Sequence, residues 1–174
     1  SNSFCTLLAT PLSLAMSSGG TWLVTGGSGN VGSHVVRQLA TGASTTKVVV
    51  PLRGGLERCP VVPTDAANKV EFTEHCDAAA TVLLVRERRP DYVVHLAAVT
   101  SIAAALADPS AAHATNVEWT GALAAAAREC GAVFVYASSD MVLDGRLPDD
   151  VTPAGFYTGA SPGSPLSVYG RSKL

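Results

Sequence analysis

The sequence predicts an α/β protein, a doubly wound parallel sheet with helices on both faces. Three observations lead there. Short β-branched, apolar runs alternate with alanine-rich stretches of helical period. The runs are apolar throughout, as strands covered on both faces must be. A glycine-rich turn joins the first run to the first helical stretch. Such alternation builds a parallel sheet through right-handed crossovers.

Thr21 to Thr25 is the first strand, a continuous run that ends in glycines. From Val31 to Leu39 the apolar positions Val31, Val35, Val36 and Leu39 recur at helical spacing, and Gly42 closes that helix. Lys47 to Val50 is the second strand. Pro, Gly and charged residues make residues 51–68 a loop. Val70 to Thr73 is a third strand and Ala78 to Arg88 a helix stopped by Pro90, with Arg86, Arg88 and Arg89 at its negative end. Asp91 to Leu96 is the fourth strand. Asp108-Pro109 opens a long alanine-rich helix that runs to Glu129; Gly131 ends it, and Ala132 to Ala137 is the fifth strand. The segment from Leu143 to Ser167, rich in Pro, Gly and Asp, reads as a loop over the mouth of a site.

Composition narrows the function. The chain has 174 residues, 47% of them hydrophobic, enough for one domain with a core. With 15% charged residues and a formal charge of −2, nothing in it points to nucleic acid or an anionic membrane as partner. Cys5, Cys59, Cys76 and Cys130 lie far apart, as do the four histidines, so no metal site or disulfide framework is expected and the thiols read as free in a reducing, cytoplasmic setting. No apolar run reaches the ~20 residues that span a bilayer. The run from Cys5 to Met16 is interrupted by Pro11 and lacks a basic flank, so residues 1–19 are expected to be a disordered or artefactual leader, with Met16 a candidate start and 20–174 the domain.

Thr25-Gly26-Gly27-Ser28-Gly29-Asn30-Val31-Gly32 sets glycines three apart between strand and helix. A dinucleotide pyrophosphate needs such a turn, because free N–H groups and the helix dipole favour negative charge there. Gly26 permits the tight turn, Gly29 the close approach of backbone to ligand, and Gly32 the packing of helix on strand. Ser28, Asn30 and Val31 complete the expected cradle. At the end of the second strand an acidic residue would read a ribose 2′-hydroxyl, and an arginine a 2′-phosphate. Here stands Arg53, with no acid before Glu57, which favours NADP and leaves NAD open; a surface arginine with the ribose unread is the other reading.

Ala137-Ser138-Ser139-Asp140 follows the fifth strand, and Tyr169-Gly170-Arg171-Ser172-Lys173 places a phenol and an ammonium four apart, on one helix face. An ammonium beside a phenol favours its phenolate. His95, in a buried strand, is expected to be a core or hydrogen-bonded histidine, and Trp22 and Trp119 packing residues. Ser172-Lys173-Leu174 equals a peroxisomal address, but the family run Y-G-R-S-K-L that Tyr169–Leu174 resembles accounts for all three residues.

Taken together, these pieces resemble the extended short-chain dehydrogenase/reductases that act on nucleotide sugars, over about Thr21 to Leu174. The resemblance rests on T-G-x-x-G-x-x-G at Thr25–Gly32, Arg89-Pro90-Asp91, His95-Leu96-Ala97-Ala98, Asp108-Pro109 with Asn116-Val117, Ser138-Ser139 and the run Tyr169–Leu174. Ser138 to Gly145 is similar to the S-T-D-Y-V-F-D-G of dTDP-4-dehydrorhamnose reductases. It implies a Rossmann-type fold, with Ser139 on the substrate carbonyl, Tyr169 as general acid/base and Lys173 assisting Tyr169 and binding the nicotinamide ribose. It further implies Leu96, Ala97 and Ala98 along the cofactor path, Glu74 and His75 at the adenine, and Thr100, Ser139 and Asp140 facing substrate.

The reaction so implied is hydride transfer at a sugar C4. Two alternatives stay open: an epimerase or dehydratase with the same triad, and a non-catalytic regulator similar to the methionine adenosyltransferase β-subunit. The expected small-molecule partner is a nucleotide-linked sugar, with a homodimer left open. Members of the family continue past the lysine into further strands and a substrate domain, so the sequence is expected to hold the cofactor half.

Overall fold

A computed structural model describes residues 19–146 and 157–174; most of the expected leader, and the middle of the expected loop from Leu143 to Ser167, lie outside them. Five strands, β1 (Gly20–Thr25), β2 (Thr45–Pro51), β3 (Val70–Thr73), β4 (Tyr92–His95) and β5 (Val133–Tyr136), form one sheet in the order β3-β2-β1-β4-β5. Every pairing is parallel; in register, Leu23 faces Val49 and Val93, and Val94 faces Val135.

The strands are apolar on both faces because both are covered. Alternate residues point to opposite sides. Trp22, Val24, Val48, Val50, Tyr92 and Val94 pack with Val36 of helix α1 (Asn30–Thr41) on one side. Leu23, Val49 and Val93 pack on the other, against Leu84 and Val85 of α2 (Ala78–Arg88) and Leu123, Ala126 and Ala127 of α5 (Trp119–Cys130). Fully burying one such leucine or valine contributes roughly 2 kcal/mol. The expected doubly wound sheet is therefore observed.

Local chemistry sets the ends of the elements. Asp77 caps α2 by accepting the Ala80 N–H at 2.7 Å, and Arg89 ends it in the left-handed region. Arg86 and Arg88 lie in its last turn, as expected, and each also reaches a carboxylate on a neighbouring element, Glu129 and Glu71 respectively. Gly131, at φ +75°, ends α5. Cys59, Cys76 and Cys130 are free thiols, and no helix among the described residues is long and apolar enough to cross a membrane.

Three features depart from the sequence reading. The loop at 51–68 contains two short 3₁₀ turns, Leu56–Arg58 and Thr64–Lys69. A further helix, α3 (Ile102–Ala107), precedes the long one, with Asp108 at the junction. The long helix is continuous, but between α4 (Pro109–His113) and α5 it widens into a π-helical turn, Ala114–Glu118, where the Trp119 N–H bonds the Ala114 carbonyl five residues back. A short helix α6 (Val168–Lys173) closes the described chain.

From β1 the connection through α1 leads to β2 on one side, whereas β4 lies on the other. Ligands of open parallel sheets bind where the strand order reverses in this way, beyond the strand carboxyl ends.

Candidate functional site

A cleft of about 440 Å³ opens at that point. Gly26, Ser28, Gly29, Asn30, Val31 and Gly32 form one wall, and Leu96, Ala97, Ala98 and Thr100 line it from the end of β4. The walls meet closely: Gly26 has φ +70°, and a Cβ there would stand 2.6 Å from the Ala97 nitrogen. A Cβ on Gly32 would collide with the Gly26 carbonyl. Only glycine fits either position.

At its N-terminus α1 has no side-chain cap and no acidic residue in the first turn. The Gly29 and Ser33 N–H groups are used within the turn, by Gly26 O and Gly29 O, both at 2.9 Å. The remaining first-turn donors and the positive end of the helix dipole stand on the cleft wall. Val31 illustrates a limit of periodicity: it matches the apolar spacing of α1, yet it is 62% exposed and lines the cleft instead of the core.

Arg53 lies exposed on the lining just past β2, without an ion-pair partner among the described residues. Glu74 and His75, by contrast, are not brought to the lining. Glu74 accepts the Leu56 N–H at 3.0 Å, which turns it into the neighbouring loop. His75 adopts φ 54° and is exposed. Buried Cys76 and Thr81 form that part of the wall, with Pro51, Leu52 and Gly54, and the Cys76 N–H bonds Leu52 O at 2.7 Å.

The second group of expected residues gathers beyond β5, outside the cleft lining. Ser139 caps the 3₁₀ turn Asp140–Val142, accepting the Met141 N–H at 3.2 Å and donating to Asp140 Oδ1 at 3.1 Å. Ser167 caps α6 through the Gly170 N–H at 2.9 Å. Gly170 then decides the packing. A Cβ there would run into the Met141 carbonyl, so its absence seats the Tyr169 helix directly on the Ser139 turn. Beside them is a hollow of about 460 Å³ lined by Asp140, Met141, Leu143, Asp144, Tyr157 and Ser167 among others.

Lys173 is buried, donates to the Ala137 carbonyl at 3.2 Å, and lies 4.5 Å above the Tyr136 ring. Burial pulls its ammonium pKa down. Burial, and secondarily a Tyr169 phenolate, push the Tyr136 phenol up. The aromatic partner shown for the ammonium is thus Tyr136, at the end of β5.

His95 is the buried, hydrogen-bonded histidine expected, 1% exposed. Its Nδ1 lies 2.6 Å from Thr25 Oγ1 and its Nε2 3.0 Å from Thr120 Oγ1. Burial, then the nearby Lys173 charge, lower its pKa to about 4. Asn116 lies buried in the π turn. Its Oδ1 accepts the Val99 N–H at 2.8 Å, and its Nδ2 donates to Val99 O and Ser172 Oγ, both at 2.9 Å. Ser172 in turn donates to Tyr169 O at 2.7 Å. The sequence carried no signal for that clamp beyond the Asn116-Val117 pair, because alanine-rich spacing hides the extra residue in the π turn.

Known proteins are similar to this chain in sequence and fold. Residues 21–174 match the family described as RmlD substrate binding domain. A dTDP-4-dehydrorhamnose reductase of Burkholderia thailandensis is 35% identical over 152 residues, covering 87% of this chain and 42% of its own length. Methionine adenosyltransferase 2 subunit beta of Rattus norvegicus is 36% identical over 109 residues, 63% of this chain and 30% of that protein. Among solved structures, a dTDP-glucose 4,6-dehydratase of Streptomyces venezuelae with NAD and TYD bound superposes with a TM-score of 0.69 at 33% identity, covering 88% of this chain and 48% of that one. The chain thus spans less than half the length of each. On its sequence, its sheet and its glycine turn, the chain belongs to the RmlD substrate binding domain family of extended short-chain dehydrogenase/reductases.

Proposed function

We propose that residues 20–174 bind NAD(P), with NADP preferred, as the cofactor domain of an oxidoreductase that reduces the 4-keto group of a nucleotide-linked sugar. The observation that carries the reading is the uncapped α1 N-terminus facing a cleft whose two glycines leave no room for a side chain. A pyrophosphate fits that donor set: backbone N–H groups, a helix dipole and no competing carboxylate in the first turn. Asn30 to Gly32 would hold it, Arg53 would pair with a 2′-phosphate, and Leu96 to Ala98 would flank the dinucleotide.

When bound, the nicotinamide supplies the hydride. The chain's own residues do the rest. The Ser139 hydroxyl holds the substrate carbonyl oxygen, and the Tyr169 hydroxyl gives it a proton as negative charge develops there. Lys173, fixed by Ala137 O and Tyr136, supports that proton transfer with its charge. Asp140 and Thr100 face the sugar, Thr100 from the cleft lining and Asp140 from the neighbouring hollow.

The test has two parts. Fluorescence titration of this chain with NADPH and NADH should show saturable binding, tighter for NADPH. The protein at the full length its gene encodes should oxidise NADPH with a dTDP-4-keto-6-deoxy sugar. Dinucleotide binding without oxidation would favour a second reading, a non-catalytic regulator, which the 36% identity to the methionine adenosyltransferase subunit supports.

A further inference from the structure

A hydrogen-bond path of fixed polarity runs through His95, from the cleft wall to the π turn. Thr120 Oγ1 donates its single proton to the Asn116 carbonyl at 2.8 Å. Towards His95 it can therefore only accept, so Nε2 carries the imidazole proton. Nδ1 is then bare and accepts from Thr25 Oγ1, which itself accepts the Ala97 N–H at 3.3 Å. The path reads Ala97, Thr25, His95, Thr120, Asn116, each group donating to the next. At Asn116 it meets the side-chain clamp on Val99, Ser172 and, through Ser172, the carbonyl of Tyr169.

A buried imidazole is a costly way to fill space in this sheet. The other β4 residues are Tyr92, Val93 and Val94, and a leucine would occupy the volume with no polar atom to satisfy. Of the neighbours, Thr120 already has the Asn116 carbonyl as acceptor, and only the Thr25 hydroxyl, which itself accepts the Ala97 N–H, depends on the ring for one among the described residues. What the histidine adds is connection. It ties the end of β1, where the glycine turn begins, to the end of β4 and to α5, three elements that no other side chain is shown to join by hydrogen bonds.

We propose that His95 is a positioning residue: with Thr25 and Thr120 it locks the two cleft walls to the Asn116 turn, and through Asn116 to α6, so that an occupied cleft and a seated Tyr169 helix stabilise one another. The inference rests on the dinucleotide reading of the cleft given above. It adds a coupling between the two groups of site residues, which lie on separate hollows of the surface.

Thr120 is the position to test, since it is only half-buried and breaks the path on the side away from the cofactor cradle. Thr120→Val removes the hydroxyl at equal shape, and Thr120→Ser keeps it. NADPH affinity is read by fluorescence titration, and hydrogen exchange reads the Val168–Lys173 amides with and without NADPH. In the parent chain NADPH should increase protection of α6. Thr120→Val should weaken NADPH binding by about fivefold, the scale of one buried hydrogen bond, and abolish the added protection, and Thr120→Ser should restore both. A merely structural threonine would lower thermal stability with no selective loss of the transmitted protection and no rescue by serine.

Parent-like affinity and protection in Thr120→Val, or failure of Thr120→Ser to rescue, would overturn the proposal. Should the valine variant not fold, Thr120→Ala in this alanine-rich helix is compared with Thr120→Ser by the same readouts. If the parent chain takes up no dinucleotide, the reading of the cleft fails instead. The path is then judged on ligand-free exchange, where Thr120→Val must loosen α6 relative to the parent and Thr120→Ser must not.

Discussion

Acid should loosen this fold between pH 7 and pH 4 through one side chain, His95. In the folded chain its pKa lies at about 4, against an ordinary 6.5, because the ring is buried and Lys173 is near. The unfolded chain therefore binds a proton between those two values that the folded chain refuses. Stability from this group is complete above pH 6.5 and is lost as pH falls through the folded pKa. The difference of about 2.5 units corresponds to about 3 kcal/mol, of which about 2 kcal/mol is gone by pH 5. At 1% exposure the ring needs no discount for solvent screening. With a urea m-value of roughly 1–3 kcal/mol per molar, the unfolding midpoint should fall by about 1 M between pH 7 and pH 5. The carboxylates with lowered pKa values, Glu71, Glu129 and Asp144, titrate mainly below that window, so it isolates the imidazole. Urea titrations of the parent chain and of His95→Gln, at both pH values, are the assay. The glutamine variant starts weaker but should show a nearly flat response. A flat parent, or an equal slope in the variant, would refute the assignment.

Other perturbations bear on the cleft and the packing. Gly32→Ala should abolish dinucleotide binding in titrations, because its Cβ has no place beside the Gly26 carbonyl. Arg53→Ala should weaken NADPH binding by about tenfold, the scale of a charge-assisted contact, and leave NADH nearly unchanged; equal losses would remove Arg53 from the phosphate site. Gly170→Ala should displace α6 from the Ser139 turn, lowering activity of the full-length protein and, through the Asn116 link, also weakening cofactor binding in titrations. Leu123→Ala, at a fully buried site between α5 and the sheet, should cost about 2–5 kcal/mol in chemical denaturation with its effect spread over the whole fold.

Much of this architecture was legible because its determinants are local or periodic. Val70–Thr73 and Ala78–Arg88 fall within the bounds the sequence predicts, the helix stopping just before Pro90. The glycine turn was legible for a steric reason, since each glycine answers a collision that the backbone path makes unavoidable. What escaped was set by tertiary contact. Val31 keeps helical spacing, but it belongs to the first turn of α1, which overhangs the cleft instead of the sheet. Helix α3 is short, with Ile102 and Leu106 exposed, so no apolar stripe announced it. The π turn adds one residue within Ala114–Glu118, a stretch with a single large apolar side chain, Val117, whose spacing marks no change of period. Glu74 and His75 were carried over by resemblance, and the left-handed backbone at His75 turns that segment so that Cys76 meets the cleft. The Tyr169–Lys173 spacing was readable, whereas the placement of the ammonium over Tyr136 depends on a strand more than thirty residues away.

All five strands run the same way, which gives the sheet a working end and a quiet one. β1 enters at Gly20 and delivers Thr25 to the cleft five residues later, roughly 16 Å away at about 3.3 Å per residue. The turn at Ala43 and Ser44, the left-handed stop at Arg89 and the Gly131 cap all lie at the entry end. For an experimenter this is a ready handle. A fluorophore, a surface tether or a fused reporter attached at Ser44 would stand about as far from the cleft as the sheet is long. With Trp22, which lies beside Ser44, replaced by phenylalanine, energy transfer from Trp119, which borders the cleft, to an acceptor there would report on the distance between the two ends.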